Sequence, residues 1–502
     1  MKQPIVTGIL CVMILCLWSG LTVYPVLALA VAIFVAVPLY RLSPFHPLHD
    51  FPGPLVHKIT QLPMLYYALR GTGHIKIKAL HDQYGRIVRT GPNTVSFLSA
   101  SAIKQIYTSS SALDKTTAYD IRSMDGQGIF FFKDKVAHAP RRRLWIKSFS
   151  DHALSQYHDK LVLEVEHLIH CLLQRMAKNG QVDLAKVLPQ YAYDNTNTIF
   201  FSGNAFSSLL DSDDPDKIVP GGTSMFEMTE LFGHMEPLFH LVSCIPGISL
   251  SFERLSIAAA ERRLKNGCTF QDGISYWFDG DDSQPKMNPG DLPIESGILL
   301  IGGADTTGGV LVLLLYFLIT NSKWIALIRK ELEMLKDGAP DLWLRSLDQL
   351  VILNAVIQES LRLGTPFPGF PRATPTGGIV IDGYYVPSGT AVNVPGWAYH
   401  LDEEHFPNST VFDPNRWIED GKFSPAKAAL LAFSGGGFAP YFEFEISLIL
   451  YRALWLFGPE AGLRPIQDTR RHASSGPRNY FSAALQPREI LEWNKKSTCN
   501  NV

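Results

Sequence analysis

Leu300-Ile-Gly-Gly-Ala-Asp-Thr-Thr-Gly-Gly-Val310 sets two glycine pairs around an Asp-Thr-Thr core, inside an otherwise apolar helical stretch covering residues 288 to 319. Each interior glycine costs a helix about 1 kcal/mol against alanine, so something must approach this backbone closely. Two occupants fit. A flat ligand or small molecule can lie where Gly302 and Gly303 lack side chains, with Asp305 and Thr306 offering an acid and a hydroxyl that relay protons. Alternatively a second helix packs into a glycine groove, and Thr306 bonds back to a carbonyl of its own helix.

Helical periodicity also runs through residues 152 to 178, 254 to 266, 322 to 336 and 347 to 363, with apolar positions at i, i+3, i+4 and i+7. Gly85 to Gly91 followed by Thr94 to Phe97, and Ile379 to Val386 followed by Gly389 to Val394, each read as two β-rich runs joined by turn residues. The fold class is α+β, mainly helical, with small peripheral sheets. With 46% hydrophobic and 18% charged residues, the chain has material for a large core, which excludes disorder as its main state. A net charge of -2 gives no general attraction to nucleic acid, so no such partner is expected. Cys11, Cys16, Cys171, Cys244, Cys268 and Cys499 form no CxxC pair and lack the density of a disulfide framework, which fits a reducing compartment.

From Pro4 to Tyr40 no residue is charged, a length beyond the roughly 20 residues of one membrane span and beyond a cleaved leader's apolar region. Residues 1–40 are therefore expected to be a membrane anchor, crossing once or twice. Only Lys2 precedes it, whereas Arg41, Lys58, Arg70, Lys76 and Lys78 follow, so the body should lie in the cytosol on an internal membrane. Residues 41–54, with four prolines, read as a stiff hinge, and residues 55–502 as one domain. No later stretch is expected to span a bilayer, which sets aside a transporter. The Asn408-Ser-Thr410 sequon reads as part of a turn in a cytosolic domain. Met225 to Phe239 and Phe130 to Phe132 are apolar stretches that suit either a greasy entrance or core packing.

Glu359 and Arg362, at i and i+3 in Gln358-Glu-Ser-Leu-Arg362, would on a surface be a weak pair. Downstream, Phe412-Asp-Pro-Asn-Arg416-Trp417 brings a second guanidinium that can complete a buried Glu-Arg-Arg cluster. The Gly-Gly-Ala-Asp-Thr-Thr helix, Glu-x-x-Arg and Phe-Asp-Pro-Asn-Arg-Trp, in this order, resemble the cytochrome P450 haem-thiolate monooxygenases, and most of all their microsomal members from fungal secondary metabolism. The likeness extends to the apolar N-terminus, the proline segment, Tyr84 to Pro92, His138 to Phe149 and Val386 to Thr390.

The resemblance implies a P450 fold binding haem, with electrons from NADPH through cytochrome P450 reductase, an apolar small-molecule substrate, and a place on the endoplasmic reticulum membrane in contact with its lipid. Asp305 and Thr306 would deliver protons to bound dioxygen, and Glu359, Arg362 and Arg416 would lock the fold. His138 and Arg142, which share a helix face at i, i+4, and Arg372 would bind the haem carboxylates, beside Gly302 and Gly303. The bland reading of Arg141 to Arg143 is a solvated basic face.

One departure bears on all of this. The family's haem loop reads Phe-x-x-Gly-x-x-x-Cys-x-Gly, and its thiolate binds the iron. Phe433 and Gly436 match, but Pro440 and Phe442 stand at the Cys and second Gly positions, and Phe433 to Glu445 contains no cysteine. The position of Ala439 makes the segment about seven residues short, a deletion in character. Neither Cys268 nor Cys499 stands in for the ligand. Three accounts are open: a segment lost at an exon boundary, a chain that kept the fold and lost thiolate ligation, or a replacement ligand, with Tyr441 nearest.

Overall fold

The computed structural model describes residues 23–107, 112–119, 128–220, 251–279, 286–333, 349–365, 369–424, 463–466 and 490–493. Helix α1 (Val23–Leu42) leads into α2 (Leu55–Ile59), α3 (Leu62–Leu69) and α4 (Gly73–Tyr84). Strands β1 (Ile87–Gly91) and β2 (Thr94–Phe97), helix α5 (Ala100–Ile106) and strand β3 (Asp114–Lys115) follow. A helical layer comes next: α6 (Lys135–Lys147), α7 (Asp151–Asn179), α8 (Leu184–Phe201) after strand β4 (Gln181–Val182), and the short α9 (Leu209–Ser212). Helix α10 (Ser251–Asn266), the continuous helix α11 (Pro289–Thr320), α12 (Lys323–Glu333) and α13 (Val351–Leu363) complete it.

Strands β5 (Arg372–Ala373), β6 (Ile379–Ile381), β7 (Tyr384–Val386) and β8 (Ala391–Asn393), then helix α14 (Gly396–His400), belong to the sheet side. Its five-stranded sheet has the order β1-β2-β8-β5-β3, with β2 and β8 parallel. The run 379–386 is itself a hairpin, because Asp382 and Gly383 both take positive φ, 49° and 81°. Both positive values are the signature of a tight two-residue turn that reverses the strand. The 389–394 run pairs with β2 and β5 and not with that hairpin.

Among the described residues one helix is long and apolar enough to cross a membrane, and it is α11, with 67% of its most apolar stretch buried. It is a core helix. Val310, Leu311 and Leu314 are fully buried with Tyr191, Ile199 and Phe201 of α8 in one cluster, which also takes in Leu161 and Val165 of α7. A smaller cluster under the sheet joins Val95, Phe97, Val392 and Trp417.

The proline segment is strapped to the sheet. Arg89 of β1, fully buried, donates to the carbonyls of Arg41, Leu48 and Pro92 at 3.3, 3.1 and 2.8 Å, and its backbone N–H donates to Pro52. Leu48 and Phe51 are buried against it. Gly53 runs so close that a Cβ there would stand 2.5 Å from the Arg89 carbonyl oxygen.

Candidate functional site

Within α11 the six residues Leu300–Asp305 form a π turn, the one-turn bulge that widens a helix and re-aims its side chains. The two readings of the glycine segment divide residue by residue. Gly302 is exposed between the fully buried Leu300 and Ala304, and a Cβ on it would meet nothing within 4 Å. A Cβ on Gly303 would stand 3.3 Å from Thr196 Oγ1, and one on Gly308 only 2.7 Å from Pro189 Cα. Gly302 alone therefore lines an open face, whereas Gly303 and Gly308 let α8 cross. That corrects the expectation for Gly303, and the reason is that neighbouring helical positions point in different directions around the axis, so Gly303 turns toward Thr196 of α8.

Thr306 stands over the Gly302 face, its Oγ1 donating to the Gly302 carbonyl at 2.8 Å. Asp305 is buried on the α8 side: burial first, and then the Asp305 carboxylate, push the Tyr193 phenol well above its ordinary value.

A second group of residues collects positive charge. In the β3–β5 register Lys115 lies directly opposite Arg372, a like-charge cross-strand pair that opposes strand pairing. Burial, and then Arg372, lower Lys115 to about 7. Burial, then Lys115, Arg142 and Arg372, lower His138 of α6 to about 4. These four basic groups act on one another and no carboxylate contributes to either shift. Arg372 lies 5.8 Å from the rings of Tyr107 and Tyr119, and its buried Nε has no hydrogen-bond partner. Four basic side chains, two of them arginines that keep their charge, with no carboxylate acting on Lys115 or His138, suit an anionic ligand. The structure thus brings His138, Arg142 and Arg372 into one field and adds Lys115. Sequence reasoning missed Lys115 because a two-residue strand gives no periodic signal.

Arg141 has a separate task. It donates to Glu295 of α11 at 2.8 Å and pairs with Asp291. The fully buried Glu295 also accepts from Trp145 Nε1 and the Ile129 N–H, both at 3.1 Å. Loop, α6 and α11 are tied through one carboxylate, so Arg141 is no solvated base, whereas Arg142 and Arg143 are exposed. Phe130 packs on Tyr119 and Phe370, ring centroids 5.2 and 5.6 Å away.

Glu359, fully buried on α13, receives Arg362 as a fork, Nε to Oε2 and Nη2 to Oε1, both at 2.9 Å. Arg416 Nε reaches Oε1 at 3.1 Å, Trp417 Nε1 reaches Oε2 at 2.9 Å and the Asp413 N–H reaches Oε1 at 2.9 Å. Arg362 Nη1 also donates to the carbonyls of His400 and Ser409, both at 2.6 Å. The three expected members are together, and Trp417 and the Asp413 amide complete the carboxylate's shell.

Burial, and then Arg362, hold His400 down to about 3, against ~6.5 in an unfolded chain. The unfolded state takes up that proton first. The neutral ring's contribution is intact above ~6.5 and is lost as pH falls toward the folded value. His400→Gln is expected to remove about 1.4 kcal/mol per pH unit of acid-induced loss between roughly pH 6 and 4, read from urea midpoints of parent and variant.

The family model for cytochrome P450 matches residues 51–437. This chain belongs to the cytochrome P450 family. The match ends four residues past Phe433, short of Pro440. The chain is 30% identical over 417 residues to Cytochrome P450 67 of Uromyces fabae, covering 80% of this P450 and 76% of that protein. To the trichothecene C-15 hydroxylase of Fusarium sporotrichioides it is 28% identical, covering 94% and 97% of the two chains. A crystal structure of a cytochrome P450 (CYP102L1) superposes with a TM-score of 0.66 at 17% identity, covering 88% of this chain and 99% of that one. Retinoic-acid-bound cyanobacterial CYP120A1 gives the same TM-score at 18% identity. The P450 fold is therefore observed, and the family with its monooxygenase and hydroxylase relatives supports an oxidoreductase. The segment Phe433 to Glu445, with Tyr441, and the stretch Met225 to Phe239 lie outside the described residues.

Proposed function

We propose that this P450 is a haem-dependent monooxygenase of fungal secondary metabolism that oxidises an apolar small molecule, taking electrons from NADPH through cytochrome P450 reductase. The observation that carries the reading is the basic cluster of Lys115, His138, Arg142 and Arg372, which suits the paired carboxylates of haem. Haem, when bound, supplies dioxygen activation. His138, Arg142 and Arg372 would hold its carboxylates, and Gly302 keeps an open face on α11. Thr306 holds a hydroxyl proton on the Gly302 carbonyl and can pass it to a group arriving on that face. Gly303 and Gly308 keep α8 closed against α11, which keeps water from that side.

Residues 1–40 anchor the protein in the endoplasmic reticulum membrane, with the body in the cytosol. The uncharged Pro4 to Tyr40 run supports this, as do the exposed Phe34, Leu39, Phe45, Leu55, Leu62 and Leu69, which offer lipid an apolar surface. A second reading has its own observation. The cysteine-free Phe433 to Glu445 segment favours a haem-free protein that binds or isomerises an apolar molecule in the same fold.

Sequencing the transcript across residues 425 to 450 and recording the reduced carbon monoxide difference spectrum of the expressed protein separates the two. A restored cysteine with a thiolate-type band is expected. A transcript identical to this sequence, with no haem absorbance, overturns the monooxygenase reading in favour of the second.

A further inference from the structure

Helix α7 carries His167 and Cys171 one turn apart, and α9 brings Asp211 against them. His167 Nε2 lies 2.9 Å and Cys171 Sγ 4.0 Å from Asp211 Oδ1, and all three ligand atoms fall within 4.8 Å of one another. We propose that these three side chains form a zinc site that braces α9 to α7.

An imidazole nitrogen, a thiolate and one carboxylate oxygen make a mixed donor set that suits Zn2+, with bonds of about 2.0 to 2.3 Å. Ligand atoms at those bond lengths around a tetrahedral ion are separated by distances within the observed spread, so seating the ion needs only side-chain adjustment. The surroundings hold the donors in place. Asp194 accepts from the Leu209 and Leu210 N–H groups at 2.7 and 2.9 Å and from Ser208 Oγ at 2.8 Å. Arg175 Nη2 donates to the Leu210 carbonyl at 2.5 Å. The four-residue α9 is thus fixed from both sides before any ion arrives. A groove lined by Cys171, Arg175, Lys186, Asp211 and Asp213 opens onto two of the three donors, Cys171 and Asp211, which gives an ion a path and leaves the fourth position to water.

Binding must displace one proton. Cys171 is a buried free cysteine, and zinc takes a cysteine as its thiolate. Zn2+ replaces the thiol proton, which is released to solvent, and the His167–Asp211 hydrogen bond gives way to two metal bonds as the ring proton of His167 passes from Nε2 to Nδ1. Affinity therefore rises with pH.

The test is a Zn2+ titration of the full chain, with zinc-edge X-ray absorption on the loaded protein, which iron does not obscure. One zinc per chain with one sulfur neighbour at about 2.3 Å is expected. Cys171→Ser should abolish the sulfur signal, Asp211→Asn, at an exposed position, should weaken zinc binding by more than about tenfold, and Cys268→Ser should change neither. Zinc bound without sulfur, or sulfur ligation unchanged in Cys171→Ser, overturns the proposal, as does affinity unchanged in Asp211→Asn.

Discussion

Replacing Glu359 by alanine is expected to cost about 3–5 kcal/mol of folding stability, the cost of removing one partner from a buried ion pair. The carboxylate accepts from two guanidinium groups, an indole and a backbone amide. Arg362 is fully buried and would keep its charge with only carbonyls around it. Domains commonly hold about 5–15 kcal/mol in reserve, so much of that margin disappears. Glu359→Gln should cost less, because an amide oxygen still accepts from Trp417 and one guanidinium. Urea unfolding of parent and both variants, followed by far-ultraviolet dichroism, measures the order. A Glu359→Ala protein as stable as the parent would show that the loop holding Arg416 is pinned by something else.

Neutralising Lys115 is expected to weaken haem binding by about 10- to 100-fold near neutral pH, the worth of one charge-assisted hydrogen bond. It should also abolish a pH dependence. In the haem-free protein Lys115 is lowered to about 7, and a haem carboxylate nearby would raise it again. Between those two values haem uptake must bring a proton with it, so affinity falls by up to about tenfold per pH unit above pH ~7. Haem titrations of parent and Lys115→Met at several pH values give both numbers. A pH slope that survives in Lys115→Met would move the anion site elsewhere.

Much of this was legible in the residues before the fold was known. The Glu359–Arg362–Arg416 cluster could be read because helix geometry places the first pair on one face and the Asp-Pro turn fixes the third. The helices at 152 to 178 and 288 to 319 appear with bounds close to those expected. Lys115 was hidden because its partner across the sheet lies far along the chain, at Arg372, and register is a property of the assembled sheet. Which of Gly302 and Gly303 faces open space depends on how α8 crosses α11, and periodicity does not fix that rotation. The hairpin at Asp382-Gly383 carried its own signal, an Asp-Gly pair between short β-rich runs, but two three-residue strands passed for one.

The strap around Arg89 has a mechanical consequence. A guanidinium that holds the carbonyls of Arg41, Leu48 and Pro92 joins the end of α1 to the first strand of the sheet as a bracket joins a beam to a wall. Such a joint transmits torque. Under the proposed membrane anchoring, whatever grips α1 would set the compass heading of the whole body, and a partner diffusing in two dimensions would meet the same flank at every encounter instead of searching over a swivelling target.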